Sequence, residues 1–190
     1  MAAASARWLA TGYLRHKFAP PRIDSHVSPV DFAHLTLRVW AGVVMIAHGI
    51  NHWKSIDGTA SWFGKVGFKA PRLNAWLSAG NELAIGSALV VGLLTSVAAA
   101  ALAATMFVAF WSIHRFAGFF VFHRPDEGYE YVFTLAIVAL ALAVAGPGSV
   151  SVDAAVGIAE MLDGWVGGLI YAGGLALAGA QLALLWRKPE

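Results

Sequence analysis

The chain has no cysteine and little charge. Across its 190 residues, the absence of cysteine excludes thiol catalysis, disulfide bonds and iron–sulfur ligation. Charged residues make up 13% of the sequence, whereas soluble domains carry roughly 25%. The mean hydropathy is +0.65, and 58% of the residues are hydrophobic. We therefore predict an integral membrane protein made of a single helical bundle.

Basic residues are also few, and they are dispersed. The formal net charge is +2, and the lysines and arginines lie in tails and loops. Because no basic face is formed, nucleic acid is not an expected partner. Prolines and basic residues interrupt residues 1–31, so no secretory signal is expected there. Residues 1–34 are predicted to be a polar N-terminal arm, in which Ala2–Phe18 forms either an interfacial helix or a flexible segment.

Long apolar stretches dominate the remainder of the chain. A helix that spans a bilayer needs roughly 17–25 apolar residues. Five stretches meet or approach this length: Leu35–Trp53, Leu73–Leu94, Val97–Ile113, Tyr129–Ala145 and Trp165–Trp186. We predict an all-α polytopic membrane protein with a four-helix bundle over residues 35–148. Residues 149–190 are predicted to add a short linker helix and a fifth transmembrane helix.

The ionisable residues of the first four stretches fall toward one side of the membrane. His48 lies near the end of the first stretch, and Glu82 lies in the first half of the second. His114 closes the third stretch and Glu130 opens the fourth. Antiparallel threading would bring these four groups into one leaflet. Ionisable groups inside a bilayer are costly and usually face a partner, a cavity or a ligand.

The candidate ligand site is built around this cluster. His48, Asn51 and His52 share one helix face because they are spaced i, i+3 and i+4. Imidazole or amide N–H groups can bind a quinone carbonyl, and Glu82 can accept a proton from a quinol. Aromatic side chains would flank the ring, and His48 is expected to pair with Glu82. The full predicted set is His48, Asn51, His52, Asn81, Glu82, Trp111, His114, Tyr129 and Glu130.

Other interpretations of the cluster stay open at this point. Glu82 can instead bond to His48 or to Arg38 and merely fasten the second helix to the first. Arg38, near the start of the first helix, is otherwise expected to reach the interface with its long side chain. A haem held by His48 and His114 is not expected, because nothing else in the sequence marks a macrocycle site. A zinc ion held by His48, His52 and Glu82 is not expected either, because an i, i+4 histidine pair is common by chance. No covalent cofactor is predicted.

Two connecting segments are predicted to cover the cluster. The first lid, residues 57–71, alternates aromatic and basic residues with several glycines. The second lid, residues 115–128, contains four phenylalanines. Both follow helices that end on the side of the cluster, so both are expected to lie over it at the membrane interface.

A set of motifs resembles the DoxX family of small bacterial integral membrane proteins. The motifs are HGINHWK, GTASWFGKVGF, WLSAGNELAIGSALVVGLLT, GFF, GYEY and GPG, in that order between His34 and Asp153. The resemblance implies a four-helix bundle in the bacterial plasma membrane. It also implies a functionally mixed family, with subunits of a quinol oxidase and of a thiosulfate:quinone oxidoreductase, and an anchor for redox-protective enzymes. Family members often carry a basic residue where this chain has Ser96, which favours a cytoplasmic N-terminus but only indirectly. The count of basic residues, eight on the side of the lids and the C-terminus against four in the N-terminal arm, favours an external N-terminus instead.

The expected function follows from the site and the resemblance together. We expect an accessory or anchoring subunit of a membrane redox complex that holds a quinone or a lipid in its polar pocket. The alternatives are a quinone-coupled oxidoreductase subunit with proton transfer by a Glu–His pair, and a purely structural scaffold. The expected partners are membrane lipids and other membrane redox subunits, and a homo-oligomer stays open. Small residues at Gly164, Gly168, Gly174 and Ala178 suit the fifth helix either to dock another subunit or to pack on its own bundle.

Overall fold

The computed structural model describes residues 27–122 and 127–189. The predicted interfacial helix of Ala2–Phe18 lies outside these ranges. Within them the chain forms eight α-helices, and a short 3₁₀ turn, His114–Phe116, follows the fourth. The helices are α1 (Pro29–Lys54), α2 (Ile56–Lys65), α3 (Pro71–Val91), α4 (Thr95–Ser112), α5 (Glu130–Ala145), α6 (Val152–Ala155), α7 (Ala159–Leu162) and α8 (Gly164–Leu185). The predicted all-α polytopic membrane architecture is confirmed.

Three of the five long helices are long and apolar enough to cross a membrane by length and composition: α1, α4 and α8. Helix α5 is equally apolar but has 16 residues. Helix α3 has 21 residues, but its polar side chains, including Asn74, Ser78 and Glu82, lower its hydropathy. Two of these polar residues, Ser78 and Glu82, belong to the candidate site described below.

Helix α1 begins before the apolar stretch from which it was predicted. Ser28 caps its N-terminus: the Ser28 Oγ accepts a hydrogen bond from the Asp31 N–H at 3.0 Å, and the Asp31 carboxylate accepts one from the Ser28 N–H at 3.3 Å. Pro29 occupies the first turn, where its missing N–H costs nothing. These local signals extend the helix beyond the predicted start at Leu35.

Helices α1 and α3 meet at two glycines. A Cβ on Gly42 would lie 2.7 Å from the carbonyl oxygen of Gly86, and a Cβ on Gly86 would lie 2.6 Å from that of Gly42. The two backbones are therefore in direct contact. Gly49 continues the contact one to two turns further along α1, against Ala79 and Leu83 of α3. Such close approach between membrane helices depends on small residues.

Helix α4 is the centre of the bundle. Its alanine-rich sequence lets α5 and α8 pack on it, and Ala99, Leu102 and Ala103 have no exposed surface. Leu89 of α3 and Leu142 of α5 join this core. Half of the α4 span is buried inside the protein, against 11% of the α8 span. Helix α8 is thus a peripheral helix that packs through one narrow face.

Arg38 does not reach the interface as predicted. Its side chain is completely buried and donates hydrogen bonds to the carbonyl oxygens of Leu89, Val90 and Val150 at 2.8, 2.9 and 2.6 Å. These hydrogen bonds satisfy two carbonyl oxygens near the end of α3 and one in the α5–α6 loop. They lie at the end of the bundle opposite His52, so Arg38 is also not the partner of Glu82.

The small residues of α8 pack on the chain itself. Gly167 lies against Ala143 of α5, and a Cβ on Gly174 would lie 2.7 Å from the carbonyl oxygen of Ala100 in α4. The chain after α8 then returns to the first lid. The Lys69 N–H donates to the Leu185 carbonyl at 2.8 Å, and the Trp186 indole N–H donates to the Val66 carbonyl at 2.7 Å. Gly174 and Ala178 are therefore covered by the protein's own bundle, whereas a Cβ on Gly164 would meet no atom within 4 Å, so docking of another subunit on α8 stays a prediction.

Candidate functional site

A cavity of about 520 Å³ opens at the end of the bundle where α1 ends and α3 begins. Helices α1, α3, α4 and α5 form its walls, and its volume lies within the usual range of small-molecule pockets. Both predicted lids contribute to it: Trp62, Phe63 and Phe68 come from the first, and Val121 and Glu127 from the second. The lids therefore lie where the sequence placed them.

The central polar pair of the cavity is His52 and Glu82. The Nδ1 atom of His52 lies 3.0 Å from Oε2 of Glu82, an ion-pair distance. The two atoms are not aligned as a hydrogen bond, and neither has another hydrogen-bond partner. The other carboxylate oxygen of Glu82 accepts a hydrogen bond from the Ser78 hydroxyl at 3.0 Å. Glu82 is 5% exposed, so a group that completes its hydrogen bonding would be favoured.

The prediction that His48 pairs with Glu82 was wrong, and helix rotation explains why. Gly49 contacts α3 directly, so the α1 residues on the same face, Met45 and His52, also point toward α3. His48 lies about 100° from Gly49 around the helix, whereas His52 lies about 60° from it. It lines the cavity from the α5 side, where its ring stacks on Tyr131 with centroids 6.5 Å apart.

His114 forms part of the wall near the second lid. Its Nδ1 lies 2.7 Å from the carbonyl oxygen of Glu127. Because a carbonyl can only accept, Nδ1 carries the proton in this bond, which leaves Nε2 as an acceptor in the neutral ring. Of the nine predicted site residues, the cavity therefore brings together His48, His52, Glu82 and His114.

The other five predicted residues lie outside the wall of this cavity. Asn51 is exposed. Asn81 is exposed on another face of α3, where its amide donates to the Thr105 hydroxyl at 3.1 Å. Trp111 is 39% exposed and carries the guanidinium of Arg115 over its ring at 4.1 Å. The remaining two, Tyr129 and Glu130, lie near the second lid, at the start of α5.

Tyr129 and Glu130 stabilise the start of α5 and the second lid. Tyr129 packs edge-to-face on Phe110 and Phe119, so its ring belongs to an aromatic cluster. The Glu130 carboxylate accepts a hydrogen bond from the Val121 N–H at 3.3 Å and thereby holds the second lid. Three of the four ionisable groups expected to converge do line the cavity, and the fourth positions the lid over it.

Sequence reasoning missed several residues of the wall. Tyr131 was not among the predicted site residues, yet it lines the cavity beside His48. Ser78 was not among them either, although its spacing of four residues from Glu82 indicates that the two share a helix face. Across residues 27–122 and 127–189, no group of three or more His, Asp or Glu side chains is arranged to hold a metal ion.

The DoxX family model matches residues 33–115. This region belongs to the DoxX family. The matched region runs from α1 to the 3₁₀ turn and supplies all four cavity residues identified above, whereas α5 and α8 lie beyond it. The resemblance was predicted to extend to Asp153, and that further extent stays a prediction.

One curated relative of the DoxX region comes from Bacillus subtilis (strain 168) and bears the name "Putative oxidoreductase CatD". It is 28% identical over 112 residues, which cover 59% of this chain and 79% of the relative. No solved structure gave a significant match.

Proposed function

We propose that this protein is an accessory subunit of a membrane redox complex and that its cavity binds the ring of a quinone-type ligand. The observation that carries the proposal is the His52–Glu82 pair, buried in a 520 Å³ cavity with hydrogen-bonding capacity unused. The DoxX match and the name of the Bacillus relative support a link to redox chemistry.

The chemistry of a quinone suits the groups in the wall. Its carbonyl oxygens accept hydrogen bonds, which the imidazole N–H groups of His48 and His52 can donate. After reduction, the hydroxyl groups of the quinol donate, and the Glu82 carboxylate can accept. Trp62, Phe63 and Tyr131 supply ring contacts around the cavity. In this proposal the protein binds the ring and handles protons, and the electrons pass to or from a partner subunit.

The proposed location is the bacterial plasma membrane, with the N-terminus in the cytoplasm. A basic arm with Arg7, Arg15, Lys17 and Arg22 crosses a membrane reluctantly, which favours its retention inside. In that orientation α1 runs outward, so the cavity at its end lies in the outer leaflet.

A structural scaffold is the second candidate function, because the same pair of residues also connects two helices. The chain of contacts Ser78–Glu82–His52 joins α3 to α1. Interhelical polar contacts in membranes, however, contribute only about 0.6 kcal/mol on average. Helices α1 and α3 are already held together by the Gly42–Gly86 contact. A buried carboxylate adds little to that contact, which favours a ligand.

Quinone binding by the intact protein tests the two candidates. The protein would be placed in lipid nanodiscs and titrated with 2,3-dimethoxy-5-methylbenzoquinone, with quenching of tryptophan fluorescence as the signal. We expect saturable quenching in the wild type with this quinone and with its dithionite-reduced quinol. Glu82→Gln should weaken binding of the quinol by at least about tenfold, because the quinol hydroxyl loses its hydrogen bond to a charged acceptor. Glu160→Gln, an exposed carboxylate on α7, is the matched control and should bind as the wild type does.

Thermal unfolding of the same samples separates binding from folding. If Glu82→Gln unfolds like the wild type but binds the quinol less tightly, the ligand proposal stands. If no sample shows saturable quenching and Glu82→Gln unfolds at lower temperature, the scaffold is the better description. Pull-down in mild detergent followed by mass spectrometry then identifies the partner subunits of the proposed complex.

A further inference from the structure

A second concave surface lies on the side of the bundle, between α3, α4 and α8. This side groove encloses about 910 Å³. Its wall is made largely of small and apolar side chains, among them Leu77, Val97, Ala101, Ala104, Gly173 and Leu177. Along α4 it extends from Val97 to Val108, which corresponds to about 16 Å. That is roughly half the thickness of the hydrocarbon core.

The side groove adjoins the polar cavity. Five residues belong to the walls of both: Phe63, Phe68, Ser78, Thr105 and Val108. Ser78 also donates to Glu82, so the groove begins beside the carboxylate that defines the cavity. The polar cavity under two lids and the apolar groove are thus neighbouring spaces with a common wall.

The depth of the groove comes from missing side chains on α8. A Cβ added to Gly173 would meet no atom within 4 Å, although Gly174, the next residue, is in backbone contact with Ala100. Helix α8 therefore approaches α4 closely and still leaves open space beside the contact. Helix α8 lies outside the region that matches the DoxX family, so this wall of the groove is added by the C-terminal part of the chain.

We propose that the ligand is an amphiphile with a long isoprenoid-type tail, whose ring occupies the cavity while the first part of the tail lies in the side groove. The proposal rests on the proposed function and specifies the class of ligand that the same site takes. The common wall of the two spaces, which includes the hydrogen-bond partner of Glu82, is the reason to assign the groove to the tail of the ligand. The length of the groove suits an extended hydrocarbon chain, and the rest of the tail continues into lipid.

The groove fixes the position of the tail more than it raises the affinity. A tail that leaves lipid for the groove exchanges one apolar environment for another, so the hydrophobic gain is small. A measurement of where the tail lies is therefore more informative than a comparison of binding constants between tail lengths.

Photo-cross-linking in lipid nanodiscs tests the location. The probe is a benzoquinone with a ten-carbon tail that carries a diazirine at its end, and cross-linked peptides are identified by mass spectrometry. We expect the wild type to be labelled within residues 97–108 and 170–185. Gly173→Leu should reduce this labelling to background, because Gly173 lines the groove and a Cβ there would meet no atom within 4 Å, so the added side chain takes up groove space.

Gly179→Leu is the matched control. It makes the same change on the same helix, and a Cβ there also meets no atom within 4 Å, but Gly179 does not line the groove. It should leave the labelling unchanged. Equal labelling in all three proteins, or equal loss in both variants, overturns the proposal.

The outcomes distinguish this inference from the proposed function. If the tail-less quinone binds but the diazirine labels α1 and α5, the tail leaves past His48 and Tyr131, and the groove assignment is wrong while the ring site stands. If the tail-less quinone does not bind the wild type and the diazirine gives only labelling that excess unlabelled quinone fails to displace, both proposals fail.

Discussion

Arg38 and Asp153 cap the two helix ends of one hairpin from opposite sides. Arg38 donates to the carbonyl oxygens of Leu89 and Val90, which end α3. Asp153 accepts from the N–H groups of Leu94 and Thr95, which begin α4, at 2.6 and 2.8 Å. Each charge has the sign that the helix dipole favours at its end. These bonds satisfy backbone groups at both ends of the α3–α4 turn.

Removal of the arginine should destabilise the bundle. Arg38→Met leaves three carbonyl oxygens without a donor and Asp153 without a nearby cation, so we expect a loss of roughly 3 kcal/mol in the free energy of unfolding. Unfolding in detergent followed by circular dichroism measures this. Arg72→Met is the control: Arg72 pairs with Asp57 on the surface, where both side chains are more than two-thirds exposed, and should change stability by less than about 1 kcal/mol. Similar stability of the two variants would contradict the structure.

The glycine contact between α1 and α3 predicts a contrast within one helix. Gly86→Ala would place a methyl group 2.6 Å from the Gly42 carbonyl oxygen, so the helices must separate, with an expected cost of about 1–3 kcal/mol. Gly80→Ala, also in α3, meets no atom within 4 Å and should raise stability by up to about 1 kcal/mol through helix propensity. Thermal unfolding of the two variants shows whether they move in opposite directions.

A double-mutant cycle tests which histidine interacts with Glu82. His52→Gln and Glu82→Gln should show a coupling energy of roughly 0.5–2 kcal/mol in unfolding experiments, because their atoms are in contact. The cycle of His48→Gln with Glu82→Gln should give a coupling close to zero, because His48 stacks on Tyr131 instead. Coupling to His48 alone would mean that α1 is rotated relative to the described structure.

The C-terminal segment should control the mobility of the first lid. Trp186→Phe removes the hydrogen bond from the indole to the Val66 carbonyl, so the pairing of Lys69 with Leu185 should open more often. Hydrogen exchange at the Lys69 amide is then expected to be faster than in the wild type. Trp165→Phe serves as control because Trp165 is 92% exposed and should leave this amide unchanged. An unchanged exchange rate in Trp186→Phe would show that the segment does not hold the lid.

Sequence reasoning located the helices well and their rotations poorly. The stretches Leu73–Leu94 and Val97–Ile113 were predicted within a few residues of α3 and α4, because the run of apolar residues is a local property. The histidine expected to pair with Glu82 was His48, one helical turn before the observed partner, His52. The observed pairing depends on how α1 packs on α3 through Gly42 and Gly49, whose contacts lie thirty or more residues away along the chain.

The candidate site likewise combines features that the sequence predicted with features that only the packed structure shows. Its position at one end of the bundle and the identity of the two lids followed from the order of polar residues along the helices. Asn81 and Glu82 are neighbours in the chain, yet one lines the side groove and the other the cavity. Adjacent helical residues point about 100° apart, so only the packed bundle decides which of them faces which space.

By itself the sequence determined that the chain is an all-α membrane protein and that polar groups gather at one end of its helices, since both follow from hydropathy summed along the chain. The tertiary structure decided that His52 meets Glu82, that Arg38 turns inward, and that α8 packs on α4 and completes a groove. Those outcomes depend on close approach at a few glycines, which sets how each helix is rotated. Contacts of that kind join residues far apart in the chain, and no local pattern contains them.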